Sequence, residues 1–185
     1  MRRILDSFYG AALWASAFCL AAIATMVGAQ LAGRLVDGTL SLLHLPRTNF
    51  VILSLAEISG YLLGAASFLA LAPTLKAGTH IRVTMALGVL NEQTRRAAEF
   101  FAFSVAALAA GYIAWNLARF AYVSYSFNEV STGIIRVPLY YPQAVMAFGA
   151  LTLTIALVDE LFVLATRGRP SFREAEEAFT VGKEN

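Results

Sequence analysis

Cysteine and histidine are almost absent from this sequence. The 185 residues include one cysteine, Cys19, and two histidines, His44 and His80. A single cysteine excludes an internal disulfide and any redox mechanism that needs two cysteines. The two histidines lie outside the apolar runs, so they cannot supply the paired haem ligands of a membrane bundle or a convergent zinc site. A P-loop is also missing. We therefore predict that the chain is not an enzyme and binds no metal or cofactor.

Charged residues are scarce as well, at 14% of the chain, while 58% of the residues are hydrophobic and the mean hydropathy is +0.65. Soluble domains carry about 25% charged residues and about 45–50% apolar residues. This excess of apolar surface cannot be hidden from water in a chain of this size, which indicates an integral membrane protein. The net charge of +2 gives no argument for nucleic-acid binding.

Four apolar segments are long enough to cross a bilayer, whose core of about 30 Å needs ~20 helical residues. They cover approximately residues 9–32, 51–74, 97–117 and 143–166. The apolar stretch of the first segment is longer than the core of a signal peptide, so we interpret it as a span. We predict an all-α integral membrane protein: residues 1–170 form one four-helix transmembrane domain, and residues 171–185 form a polar cytoplasmic tail.

Lysine and arginine are distributed unevenly between the two sides of these spans. The side with fewer holds four, namely Arg34, Arg47, Arg119 and Arg136, whereas the side that carries both termini holds the other ten. By the positive-inside rule, both termini are in the cytoplasm. The cytoplasmic loop then includes Val83, Leu87 and Leu90 at helical spacing, which predicts a short helix lying in the membrane interface. A loop helix packed on a partner is the alternative.

Glu57 is a carboxylate that lies about two helical turns into the second predicted span. A carboxylate in the middle of a bilayer costs roughly 2.5–3.5 kcal/mol on insertion scales, so we expect Glu57 to lie near the interface, to be neutral or to be paired. A proton or ion site is the alternative. Asp159 and Glu160 are interpreted in the same way. Gly60 and Gly64 are four residues apart and form a candidate face for close helix association.

The segment between the third and fourth spans, RFAYVSYSFNEVSTGIIRVPLYYPQ, has the features of an ordered surface loop. Ser131 and Gly133 belong to a Ser-Thr-Gly turn, and Pro138 stops regular structure before the fourth span. Arg136 adds a charge that can pair with an acidic partner. We interpret this loop as a docking surface, while membrane anchoring accounts for the tyrosines that follow.

Two motifs carry a resemblance to a known family. The first is KAGTHIRV, in which Lys76 is followed by Gly78, His80, Ile81, Arg82 and Val83. The second is the spacing of Ser131, Gly133 and Pro138, and Glu57 opens the second span upstream of both. Together with four spans, these motifs resemble the small membrane subunit, the DctQ-type or Q component, of tripartite ATP-independent periplasmic (TRAP) transporters. Thr84 departs from the pattern, because an acidic residue often follows Ile-Arg-Val in the family.

The resemblance implies partners and a place in the cell. It implies a large membrane subunit (the M component), a periplasmic substrate-binding protein (the P component) and surrounding lipids, in the inner membrane of a bacterium. It also implies sodium-driven uptake of an organic acid, with this chain bracing the large subunit and helping to dock the binding protein. The residues alone leave open a stand-alone four-span protein, such as a small transporter or a redox subunit.

Overall fold

Four helices make up most of the computed structural model, which describes residues 2–77 and 91–167. They are α1 (Arg2–Leu42), α2 (Leu55–Lys76), α3 (Glu92–Ser126) and α4 (Tyr140–Arg167). Each contains a segment long and apolar enough to cross a membrane. The prediction of an all-helical fold with four candidate membrane spans is thereby confirmed. The predicted interfacial helix and the polar tail lie outside the described residues.

Two of the helices, α1 and α3, are longer than the predicted spans by more than ten residues. At 1.5 Å per residue, the 41 residues of α1 and the 35 residues of α3 extend for about 62 and 53 Å, against a bilayer core of about 30 Å. The hydropathy of the sequence locates only the part of a helix that is suited to lipid. The helix itself continues until its backbone hydrogen-bonding pattern ends. The break before α2 comes at Ser54, whose φ of 55° is left-handed, so α2 begins four residues later than the predicted span.

The helices pack in the order α1, α2, α4, α3, so that α2 and α4 are central and α1 and α3 lie at the edges. In the apolar part of α4, 44% of the residues are buried inside the chain, compared with 11% for α1. The edges expose large side chains, including Trp14 and Phe18 on α1 and Leu108 and Tyr112 on α3. These edge faces are available to lipid or to another membrane protein.

Small residues allow the central helices to approach closely. A Cβ at position 149 would lie 2.6 Å from the backbone C and O atoms of Phe68, so only glycine fits there. On the other side of α2, the Ser16 hydroxyl of α1 donates a buried hydrogen bond of 2.8 Å to the Ala66 carbonyl. Such close contacts and few polar bonds are how helices associate in lipid, where burial of apolar surface offers little driving force.

The two ends of this helix array differ in character. We call the end that holds the α1–α2 and α3–α4 connections the loop end, and the opposite end the termini end. The charged side chains whose positions are described lie toward these two ends. Between them, polar side chains bond to nearby backbone, as when the buried Thr152 hydroxyl donates to the Phe148 carbonyl.

Candidate functional site at the loop end

Residues 127–139, which connect α3 to α4, fold into a tight hairpin-like loop. An isolated antiparallel bridge pairs Val130 with Pro138. The Ser131 N–H donates to the Val137 carbonyl at 2.8 Å, and the Leu139 N–H donates to the Glu129 carbonyl at 3.0 Å. These backbone bonds close the loop upon itself, so that it is an ordered structure and not a loose connection.

The Ser131 side chain completes this loop from the inside. It is 6% exposed; its hydroxyl donates to the Ile135 carbonyl and accepts from the Val137 N–H, both at 3.1 Å. This buried hydroxyl satisfies two backbone groups, and replacing it would leave both without these bonds. The hydrogen bonds of Ser131 therefore give a structural reason for a serine at this position of the motif.

The loop is fastened to the start of α2. The Ile135 N–H donates a 3.0 Å hydrogen bond to the Ser54 hydroxyl. Gly133 lies directly against the carboxylate of Glu57, leaving no space for a side chain at position 133. One oxygen of that carboxylate accepts a 2.8 Å bond from the Tyr61 hydroxyl, which also interacts with Ser131. We call these five residues, Ser54, Glu57, Tyr61, Ser131 and Gly133, the loop bracket.

Within the loop bracket, the two carboxylate oxygens of Glu57 differ in their hydrogen bonding. Its second carboxylate oxygen is shielded from solvent and accepts no hydrogen bond from the described residues. A shielded acceptor without a bond costs about 1–3 kcal/mol, so Glu57 is held in place by the rest of the bracket at some expense of stability.

Replacing Gly133 by alanine is expected to disturb Glu57 in a way that a double-mutant cycle detects. The new methyl group would overlap the end of the Glu57 side chain, which must rotate away and lose its Tyr61 bond. We expect Gly133→Ala to lower the free energy of unfolding in detergent micelles by about 1 kcal/mol. In a Glu57→Ala background the same change should cost less, because only the 3.0 Å approach to the Ser54 hydroxyl then remains. Thr132→Ala at the exposed neighbouring position is the control, and equal costs in both backgrounds would rule out this contact.

Arg136 and the tip of the loop face outward. Arg136 is exposed, and Ile134 beside it is 75% exposed. Among the described residues, Arg136 takes part in no ion pair. The loop therefore presents an uncompensated positive charge next to an apolar side chain on a rigid support.

In the structure, Gly60 and Gly64 have different surroundings. A Cβ at Gly64 would contact the sulfur of Met146 on α4 at 3.2 Å, so this position is used within the chain. Gly60 has no neighbour within 4 Å of such a Cβ and lines an apolar groove between α1 and α2, together with Val27 and Leu63. The two glycines do not form one open face, and Gly60 alone remains available to a partner.

Lys76 lies at the termini end, far from the loop bracket. Its ammonium group bonds to Asp159 on α4 at 2.7 Å, lies 4.0 Å from Glu160 and sits 5.4 Å from the centre of the Tyr9 ring. Glu160 is completely buried, whereas Lys76 and Asp159 are about one-fifth exposed. The arrangement joins α2 to α4 by charge. Gly78, His80 and Arg82 lie outside the described residues.

Across residues 2–77 and 91–167, no group of three or more His, Cys, Asp or Glu side chains is placed to hold a metal ion. The loop bracket has one carboxylate, one phenol and two hydroxyls, all bonded to each other or to backbone. These side chains can hold the loop surface in one conformation, as a binding surface requires.

Residues 43–167 match the family model for the DctQ component of tripartite ATP-independent periplasmic transporters. The chain belongs to the DctQ family. The match covers α2, α3 and α4 and includes every residue of the loop bracket. A search of curated proteins found no match to the chain. The resemblance drawn from the two sequence motifs is confirmed, and the family is one of transporter components and not of enzymes.

As a DctQ component, the chain is one membrane component of a tripartite assembly and has other components as partners. Two members of the loop bracket were missed by sequence reasoning. Tyr61 follows Glu57 by one helical turn, a spacing at which side chains meet, so it could have been identified. Ser54 could not, because its bond joins it to a residue 81 positions away.

Proposed function

We propose that this DctQ component braces the large membrane subunit of a TRAP transporter and helps to receive its periplasmic binding protein. The observation that carries the proposal is the loop bracket, which holds a charged loop rigidly against the head of α2. A rigid surface costs less conformational entropy on docking than a flexible one. The overall activity would be sodium-driven uptake of an organic acid.

The distribution of charge supports an accessory role for the chain. The charged side chains with described positions lie toward the two ends of the helices, and the central polar groups bond to backbone. A secondary transporter would have polar groups and broken helices near the middle of the bilayer. Transport would then belong to the large subunit, which the exposed edges formed by α1 and α3 would contact.

The proposed orientation places the loop end in the periplasm. It rests on the four arginines assigned to that side against ten lysines and arginines on the other. A cysteine introduced at Ser126 in the loop end should react with an impermeant reagent added to the periplasmic side, and a cysteine at Thr94 should not. The opposite labelling would reverse the orientation and remove the docking role.

The docking role is tested by reversing the charge of Arg136. We expect Arg136→Glu to weaken binding of the periplasmic protein to the two membrane subunits in nanodiscs by about threefold to tenfold at low salt. This estimate corresponds to a surface ion pair worth about 1 kcal/mol. The difference should shrink at high salt because solvent ions screen exposed charges.

Arg96→Glu is the matched control, because Arg96 is an exposed arginine at the termini end. That variant should bind as the wild type does, and co-purification of the large subunit should be the same for all three proteins. If Arg136→Glu and the wild type give superimposable binding curves at low salt, Arg136 has no part in docking.

A further inference from the structure

A second positively charged site lies at the loop end, on the far side of α2 from the bracket. Along α1, Arg34, Asp37, Gly38 and Ser41 follow the spacing of a single helix face. The chain returns along this face as residues 47–51, and the two segments enclose a cleft of about 470 Å³. Arg34 lines the cleft from the helix and Arg47 lines it from the returning segment.

Asp37 fixes the returning segment, and its negative charge also attracts the nearby Arg47. Its carboxylate accepts hydrogen bonds from the Thr48 N–H at 2.7 Å, the Thr48 hydroxyl at 2.6 Å and the Asn49 N–H at 3.1 Å. Asn49 is left-handed with a φ of 53°, a conformation that these bonds hold. Within the described residues, neither arginine forms an ion pair with Asp37.

Arg47 is held in a fixed position at the cleft. A terminal nitrogen of its guanidinium donates a 2.8 Å bond to the Ser41 hydroxyl on α1. Since Asp37 binds the two residues that follow Arg47, both its backbone and its side chain are restrained. Arg34 and Arg47 thus bring two guanidinium groups to one space, although one of the five donors of Arg47 is already bonded to Ser41. Paired guanidinium donors of this kind suit a phosphate group.

The position of the cleft along the helices indicates the source of the phosphate. The Ile52 N–H donates to the Gln30 side chain at 2.7 Å, so Gln30 lies level with the start of α2. The 22 residues of α2 span about 33 Å, close to the thickness of the hydrocarbon core. Placing the hydrocarbon core along α2 puts Arg34, one turn further, about 6 Å beyond the core and within the headgroup layer.

The surroundings of the cleft are apolar, as a lipid would require. Phe50 and Val51 line it, and Leu42 at its edge is 83% exposed. A soluble anion gains nothing from such side chains, whereas a phospholipid places its glycerol and upper chains against them. From these observations we propose that the cleft binds the phosphate of a phospholipid headgroup in the leaflet at the loop end, a site independent of the docking role.

Native mass spectrometry of the full chain in detergent tests this with three probes. They are dioleoylphosphatidylglycerol, dioleoylglycerol, which lacks the phosphate, and soluble glycerol 3-phosphate, which lacks the chains. The wild type should retain one phosphatidylglycerol. The double variant Arg34→Gln/Arg47→Gln should need about tenfold more of that lipid for the same occupancy, since each lost charge-assisted bond weakens the complex.

The variant Arg119→Gln/Arg136→Gln removes two exposed arginines from the same end and is the matched control, with occupancy expected within about twofold of the wild type. Equal retention by both double variants would overturn the site. Equal retention of dioleoylglycerol by the wild type would overturn the recognition of phosphate. Occupancy by glycerol 3-phosphate at the same concentration as the lipid would overturn the lipid as its source.

Discussion

Gly149→Ala is expected to destabilise the chain by about 1–3 kcal/mol, although alanine is the better helix former. The added methyl group would lie 2.6 Å from backbone atoms of Phe68, and neither helix can yield without moving as a whole. The α2–α4 contact lies at the centre of the helix array, so its loss should weaken the association of the α1–α2 pair with the α3–α4 pair. Free energies of unfolding in detergent micelles measure the effect.

Gly10→Ala is the control for this experiment. A Cβ at position 10 has no neighbour within 4 Å, and Gly10 is also inside a helix. Its replacement should therefore stabilise the chain by up to about 1 kcal/mol, the usual difference in helix propensity between the two residues. If both variants shift stability in the same direction, the close approach of α2 and α4 is wrong.

Lys76→Met is the second change with a large expected effect. It would leave Asp159 without its 2.7 Å partner and remove the cation that lies 4.0 Å from the fully buried Glu160. Breaking a buried pair costs about 3–5 kcal/mol, and the partial exposure of Lys76 and Asp159 reduces this to about 2 kcal/mol. The loss should be seen as a lower free energy of unfolding in micelles.

Two further variants separate charge from packing at this site. Lys76→Arg retains the cation and should lose less than half as much stability. The double variant Lys76→Met/Asp159→Asn removes both charges of the shortest pair and should recover part of the loss. A double variant that is less stable than the sum of the single changes would contradict an ion pair between α2 and α4.

The four spans were predictable from sequence because a bilayer imposes a length and a composition on any helix that crosses it. The ends of those helices were not. Arg34 and Asp37 mark the end of the apolar run in α1, yet the helix continues to Leu42 because nothing in that stretch breaks its backbone pattern. Hydropathy therefore located the part of α1 suited to lipid and missed its extension at the loop end.

The residues of the loop bracket were only partly predictable from the sequence. Ser131, Gly133 and Glu57 were found separately, from a turn signal and a charge in an apolar segment. That they form one bracket depends on the pairing of segments about 80 residues apart, which local spacing does not encode. The same holds for the bond between Lys76 and Asp159, which are separated by 83 positions. Lys76 was interpreted from sequence as part of a cytoplasmic motif, and the structure gives it a partner in α4.

The central claim is that this DctQ component is an accessory subunit whose function requires the large membrane subunit and the binding protein. The most direct measurement is uptake of a radiolabelled organic acid that the binding protein recognises, into proteoliposomes with a sodium gradient. Vesicles with all three components should accumulate the label, and vesicles that lack this chain, or contain it alone, should not. Uptake by this chain alone, or undiminished uptake in its absence, would contradict the account.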